Sequence, residues 1–413
     1  MAPHSDATDS GDNDPPTPSI DFVTLGMFII DDIDFLPPTP PAKDVLGGAG
    51  TYSALGARLL SPPPLSGSVG WVVDQGSDFP PALGALIDTW GTHAVHRLDA
   101  ERLTTRGWNG YDSALDQHRA FRYTTPKRRL TGADLDPALL RARSFHLICS
   151  PLRCQELVRD ITSRRRAVMP GETYTKPIFI WEPVPDRCHP DELLNCTNCL
   201  PLVDVCSPNH AELAAFLGTD GLDPATGAID PDAVEQACEQ LLASMPLQSY
   251  ALVVRAGERG CYVARNGGRR RPPRRRRDTD VKPARRKALI HGSLQPDTDM
   301  ESLLAGLLQG DDGAVDAEEI EVDPGVQRWI PAYHQDAANV VDPTGGGNTF
   351  LGGLAVALAR EEDVETAAVW GTVAASFAIE QVGPPTIGKS DDAEETWNGV
   401  NPLVRLHEFQ ERL

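Results

Sequence analysis

Short runs of apolar, β-favouring residues alternate along this chain with stretches that suit helices. The apolar runs are Ile20–Ile30, Ser68–Val73, Phe145–Cys149, Ile178–Trp181, Leu202–Cys206 and Leu252–Val254. Ile20–Ile30 is largely apolar without regular alternation, which is the pattern of a strand covered on both faces of a parallel sheet, and the other runs are of the same type. Between them, Thr51–Leu60, Pro151–Arg165, Ala211–Leu217 and Asp232–Ala243 are helix-compatible. Val364–Gln381 reads as an Ala-rich helix stopped by Gly383-Pro384-Pro385. Strand and helix alternating in this way predict an α/β fold with a mostly parallel sheet covered on both sides.

Some segments break the alternation. Asp32–Asp44 is Pro-rich and extended, and Trp90–Arg129 is polar, aromatic and Arg-rich, with Phe121-Arg122-Tyr123-Thr124 resembling an edge strand. Residues 1–19 read as a disordered acidic, Pro-rich tail, without the basic start and apolar middle of a signal peptide. Residues 20–413 read as one domain, interrupted by a disordered insertion at about 265–321. No internal repeat is visible.

Composition sharpens this picture in two places. The net charge is −21, yet Arg265–Lys287 holds twelve Lys or Arg against two Asp, a local +10 that leaves −31 for the rest. An acidic body repels nucleic acid and anionic membrane, so any nucleic-acid contact is expected only through Arg265–Lys287. That tract reads first as a solvated loop and second as a nuclear-import or nucleic-acid-contacting segment. No run of about 18 apolar residues is present, so no membrane partner is expected. The eight cysteines read as reduced thiols of a cytoplasmic or nuclear protein. Cys196-Thr197-Asn198-Cys199 has the gap of a zinc knuckle, but Cys188 and Cys206 lack matching spacing, so no zinc site is expected.

The most informative stretch is Val341-Asp342-Pro343-Thr344-Gly345-Gly346-Gly347-Asn348-Thr349-Phe350, followed by a helix rich in Ala and Leu. Three residues without Cβ let the backbone approach a ligand closely. The helix that follows supplies unpaired N–H groups and roughly half a positive charge, a site for phosphate. A flexible glycine turn is the plain alternative. A second glycine turn enters a helix at Gly47-Gly48-Ala49-Gly50-Thr51-Tyr52-Ser53-Ala54. Asp31 follows Gly26 by five residues and reads as a carboxylate at the C-terminal end of a parallel strand, where open α/β sheets place ligand groups; a solvated turn, with Asp32 and Asp34 adjacent, is the plain alternative. Asn209-His210-Ala211-Glu212 follows an apolar run, and helix capping would explain that pair equally well. Gly257 and Gly260 lie in Val253-Val254-Arg255-Ala256-Gly257-Glu258-Arg259-Gly260-Cys261. Thr104–Tyr111, with Trp108 and Tyr111, together with Arg119–Arg129 reads first as an Arg-rich solvated hairpin and second as a stacking surface for a phosphorylated or aromatic ligand.

Taken together these motifs resemble the PfkB family of carbohydrate kinases (ribokinase-like), closest to its fungal maintenance-of-killer branch. The resemblance implies a three-layer α/β/α fold with a small β lid formed by segments of about 32–46 and 90–130. It implies ATP and Mg2+ as cofactors and a sugar or nucleoside as the small-molecule partner. On it, Gly345, Gly346 and Gly347 would hold the transferring phosphate, and Asn348 stands where the family has its catalytic Asp. Asp31, Gly47, Gly48 and Tyr52 would face the substrate, with Tyr52 in place of the family's Asn. Asn209, Glu212 and Gly257 would serve nucleotide and magnesium, and Asp342 and Thr344 would line a monovalent-cation site. Arg255 stands where a small polar residue is usual, and Asp74 reads as structural. Two functions stay open: a phosphotransferase acting on a hydroxyl, impaired by the Asn348 change, or a nucleotide- or sugar-binding pseudokinase serving as scaffold or regulator. A homodimer paired through the lids is open as well.

Overall fold

The structure, a computed structural model, describes residues 19–35, 38–113, 116–269 and 322–413. The expected N-terminal tail and most of the expected insertion, including nearly all of the basic tract, lie outside the described residues. One compact unit comprises residues 1–266 and 325–413. In the second, residues 267–324, the described residues pair as two short antiparallel strands, Gly268–Arg269 and Val322–Asp323.

The larger unit is built on a nine-stranded sheet. Its strands, in chain order, are β1 (Phe22–Thr24), β4 (Val69–Gly76), β5 (His93–Asp99), β8 (Ser144–Cys149), β9 (Ile178–Pro183), β10 (Val205–Cys206), β11 (Ala251–Arg255), β12 (Cys261–Arg265) and β15 (Val326–Ile330), β2, β3, β6 and β7 being kept for the lid and β13 and β14 for the short pair. The spatial order is β15-β12-β11-β10-β9-β8-β1-β4-β5, parallel from β11 to β5 and antiparallel at β12 and β15. Alternate residues of one strand face opposite ways, and here both faces are buried. Phe22, Trp71, Val73, Ile180 and Val253 join one core, while Val23, Val72, Phe179, Trp181, Leu252 and Val254 join the other. The first core is closed by α1 (Gly48–Leu59), α8 (Gly346–Ala359) and α9 (Val364–Ala378), the second by helices that include α4 (Pro151–Ala167) and α7 (Pro231–Ser244), α2, α3, α5 and α6 lying between these in the chain. The result is the expected three-layer α/β/α fold.

The lid is a separate four-stranded sheet in the order β3-β2-β6-β7, from β2 (Ile29–Ile33), β3 (Ala42–Gly47), β6 (Arg106–Ser113) and β7 (Asp116–Tyr123). Two expectations are corrected by it. The apolar run Ile20–Ile30 is not one strand, because the chain turns after Thr24, where the Gly26 amide donates to Thr24 Oγ1 at 2.9 Å. Gly26 also packs so tightly on Gly50 that a Cβ would strike its backbone, so the run is cut and its second half joins the lid. At the other end, His93–Asp99 pairs in parallel with β4 as the edge of the central sheet and is no part of the lid. Among the described residues no helix is long and apolar enough to cross a membrane.

Candidate active site

The triglycine bend sits at the N-terminus of α8. Gly345 is the N-cap in the left-handed conformation (φ 77°), and Gly346, Gly347 and Asn348 form the first turn. A side chain at Gly345 would also run into the Tyr52 ring of α1, so this position is glycine for two reasons. The first intrahelical bond runs from the Thr349 amide to the Gly345 carbonyl (2.9 Å); in the turn before it the Gly346 amide donates to the Pro343 carbonyl at 3.2 Å, while those of Gly347 and Asn348 precede the helical ladder. The bend opens on a cavity of about 450 Å³ lined by Arg255, Gly257, Gly260, Pro343, Gly346 and Gly347, among others. A larger hollow of about 690 Å³, between the end of α1 and residues 387–403, contains none of the motif residues.

Behind the bend lies a buried polar cluster centred on Glu182, which the sequence reading missed. Glu182 is the penultimate residue of the otherwise apolar strand β9, and its side chain is only 7% exposed. Its Oε2 accepts from Asn348 Nδ2 at 2.6 Å and lies 3.1 Å from His146 Nε2. Its Oε1 lies 2.9 Å from Nη1 of Arg255. On the far side His146 Nδ1 reaches Ser53 Oγ (2.9 Å) and Thr24 Oγ1 (3.0 Å). Burial acts to raise the pKa of Glu182. The Arg255 charge, the His146 hydrogen bond and the Asn348 amide outweigh it and hold the group below the usual carboxylate value. Glu182 is therefore ionised, and the Asn348 side chain is oriented as a donor towards it.

Asn209 and Glu212 open α6 (His210–Phe216) as a reciprocal capping box, each side chain accepting from the other residue's amide at 2.8 Å. The capping alternative thus describes their local geometry. The same Glu212 Oε2 also lies 3.5 Å from Arg255 Nη2, so the pair reaches the site through Arg255. Burial pushes the Glu212 carboxyl up to about 7; Arg255 opposes the rise and Glu182 adds to it. Gly257, at φ +53°, turns the chain just after Arg255 and lines the cavity. The Asp342 Oδ1 accepts from the Thr344 amide at 3.0 Å, in the turn that delivers the glycines.

The residues expected to face a substrate form a second group. Asp31 is buried in lid strand β2, and this corrects its expected place: β1 has already ended at Thr24. It lies between Gly47 and Gly107, and a Cβ at either glycine would meet its carboxylate. Gly47 caps α1 and Gly48 follows with φ +87°. Tyr52, buried on the same helix, joins this group to the triglycine bend.

Among the described side chains of the lid, Trp108, Arg122 and Arg106 all have partners. Arg122 stacks on Trp108 at 4.3 Å, whose Nε1 donates to Asp34 at 2.6 Å. Arg106 pairs with Asp78 (2.6 Å) and Asp44 (2.9 Å). Asp74, read as structural, is held by Arg97 Nη2 at 2.7 Å. All eight cysteines are free and buried.

The fit to Mg2+ is poor. That ion usually takes one or two carboxylates besides phosphate and water oxygens. Glu182 and Glu212 both face the Arg255 guanidinium, so a divalent cation between them would stand against a positive charge. Among the described residues no group of three or more His, Cys, Asp or Glu is placed to hold a metal.

With the bend, its cavity and the two groups of polar residues defined, comparison with known proteins is informative. Residues 309–389 match the profile of the pfkB family carbohydrate kinase. Protein MAK32 of Saccharomyces cerevisiae is 31% identical over 400 residues, covering 93% of this chain and 90% of the relative. The chain belongs to the pfkB family. In fold it is similar to ribokinase from Giardia lamblia, with a TM-score of 0.57 at 14% identity, covering 96% of this chain and 99% of that one. Ribokinase from Cryptococcus neoformans var. grubii serotype A, in complex with ADP, gives 0.55 at 14% identity, covering 96% and 100%. The family assignment agrees with the resemblance carried by the glycine motifs, down to the maintenance-of-killer branch.

Proposed function

We propose that this chain is an ATP-dependent phosphotransferase acting on a hydroxyl of a sugar or nucleoside, and that its turnover is impaired at Asn348. The nucleotide's terminal phosphate lies at the first turn of α8, and the acceptor hydroxyl lies towards Asp31, Gly47 and Gly48. Support for the nucleotide comes from Gly346 and Gly347 lining, at the N-terminus of α8, a cavity that also takes in Gly257, and from the similar ribokinase fold solved in complex with ADP. The monovalent-cation role of Asp342 and Thr344 belongs to the same proposal.

The impairment rests on one observation, the 2.6 Å hydrogen bond from Asn348 Nδ2 to Glu182. In-line attack requires the acceptor hydroxyl to lose its proton as the bond to the γ-phosphorus forms and ADP leaves. A carboxamide has no lone pair basic enough for that at neutral pH, and its nitrogen end here is donating elsewhere. Losing a general base costs about 10²- to 10⁴-fold in rate, while anion-hole and positioning effects survive.

A second reading, a nucleotide- or sugar-binding pseudokinase acting as scaffold or regulator, is favoured by Arg255. Its guanidinium stands against Gly347, where the family usually has a small residue. Incubating the full chain with γ-labelled ATP and a panel of sugars and nucleosides separates the two. Labelled product supports the phosphotransferase; saturable nucleotide binding without product supports the pseudokinase. Absence of nucleotide binding would sink the phosphotransferase, and absence of both nucleotide and sugar or nucleoside binding would sink the two together.

A further inference from the structure

Arg255 ends β11 in the middle of the site, and its guanidinium is tied on three sides. Nη1 lies 2.9 Å from Glu182 Oε1, Nη2 donates to the Ser207 carbonyl at 3.0 Å, and Nη2 lies 3.5 Å from Glu212 Oε2. The fourth side faces the triglycine bend, where a Cβ on Gly347 would collide with Nη1. Nε is buried with no hydrogen-bond partner, and Arg255 lines the same cavity as Gly346 and Gly347. A guanidinium stays charged at every accessible pH and carries five donors in one plane. A fixed positive charge therefore stands beside Gly347 in the first turn of α8, where the nucleotide reading puts the end of the phosphate chain.

We infer that Arg255 takes the place of the divalent cation in this pocket, so that the chain binds the polyphosphate of a nucleoside di- or triphosphate without Mg2+. The inference rests on the nucleotide reading above. Two features exclude the ordinary arrangement. The carboxylates that would share a metal are both held by Arg255, Glu182 at 2.9 Å and Glu212 at 3.5 Å. Nor can Arg255 easily withdraw, because Glu182 would be left as a buried charge with only the His146 and Asn348 hydrogen bonds.

The test is calorimetric titration of the full chain with ADP and with ATP, once in excess EDTA and once in excess Mg2+. The expected dissociation constant in EDTA is within about threefold of that in Mg2+. A loss of about tenfold or more on chelation would overturn the inference while leaving the nucleotide reading intact. No binding in either buffer would overturn both. The double variant Arg255→Thr with Glu182→Gln removes the guanidinium together with the carboxylate it neutralises. It is expected to bind ADP about tenfold or more weakly in EDTA and to regain affinity in Mg2+. Native-like binding in EDTA would show that Arg255 does not hold the phosphates. Should that variant melt early, Arg255→Lys keeps the charge beside Glu182 without the planar fork. It is expected to weaken EDTA binding about threefold or more, and an unchanged constant would count against Arg255 in the same way.

Discussion

Asn348 Nδ2 and Glu182 Oε2 lie 2.6 Å apart across 166 residues of chain. That contact changes what restoring the family's residue would do. In Asn348→Asp, two carboxylates would meet at hydrogen-bond distance, and one of them must hold a proton. The single variant is expected to be less stable than the native chain by on the order of 1–3 kcal/mol and to show no gain in phosphotransfer. Adding Glu182→Gln replaces the repelling carboxylate by an amide. The double variant is expected to raise transfer about 10²- to 10⁴-fold, read from ADP release and labelled product. Full activity from Asn348→Asp alone would mean that Glu182 does not constrain the base position.

Glu212 gives the protein a stability slope of definite sign. Its carboxyl titrates at about 7 in the folded chain, against 4.5 ordinarily, chiefly through burial; Arg255 and the Asn209 amide oppose the rise, Glu182 adds to it, and the Cys188 thiol also faces it. Between these two values the folded state holds more protons than the unfolded state, so this group's contribution to stability falls as pH rises through the interval. The loss is complete above the folded value. Glu182 has the opposite sign: its carboxyl is held low, so its contribution is present above 4.5 and disappears on acidification below that, outside the Glu212 window. Glu212→Gln retains a side chain able to close the capping box. In denaturant melts the variant is expected to match the native chain near pH 4.5 and to be more stable at pH 8, by on the order of 1–3 kcal/mol. Equal stabilities at pH 8 would contradict the assignment.

Gly345 and Tyr52 make a steric prediction. Gly345→Ala would place a Cβ in the left-handed region and into the Tyr52 ring. The two effects together are expected to cost roughly 2–4 kcal/mol, measured by chemical denaturation. Combining Gly345→Ala with Tyr52→Ala relieves the collision and leaves the backbone term, so part of that cost should return when compared with Tyr52→Ala alone. No recovery would mean that the ring is not the obstacle.

How far the site could be read from the residues depended on whether the signal was local. The triglycine bend, the Gly47-Gly48 turn and the Asn209–Glu212 cap each bring their own backbone geometry, so spacing alone placed them on helix starts. Strand runs were legible because burial on both faces leaves them apolar throughout. That same feature hid where Ile20–Ile30 is cut, since both halves are buried, one in the central sheet and one in the lid. Glu182 and His146 were missed because each sits inside an otherwise apolar strand, with partners supplied by elements distant in the chain. A charged residue closing such a run, as in Ile178-Phe179-Ile180-Trp181-Glu182, was the available cue. Arg255 was visible as a departure from the family pattern, but its two carboxylate partners were not.

Asp31 and the glycines around it offer a way to separate the two halves of the site. Gly47 has φ −145°, an ordinary extended value, so Gly47→Ala introduces no backbone strain. Its Cβ would instead meet the Asp31 carboxylate, and a Cβ on Gly107 would press on the same group from the neighbouring lid strand. If Asp31 holds a substrate hydroxyl, Gly47→Ala displaces the acceptor site and leaves the α8 bend alone. The expected result is an ADP dissociation constant within about threefold of native, together with loss of the thermal shift that a sugar or nucleoside produces on the native chain. Gly107→Ala should behave alike, since it reaches the same carboxylate by another route. A retained sugar or nucleoside shift in both variants would remove Asp31 from the substrate site, whereas loss of ADP binding would show that the lid and the phosphate bend are not separable.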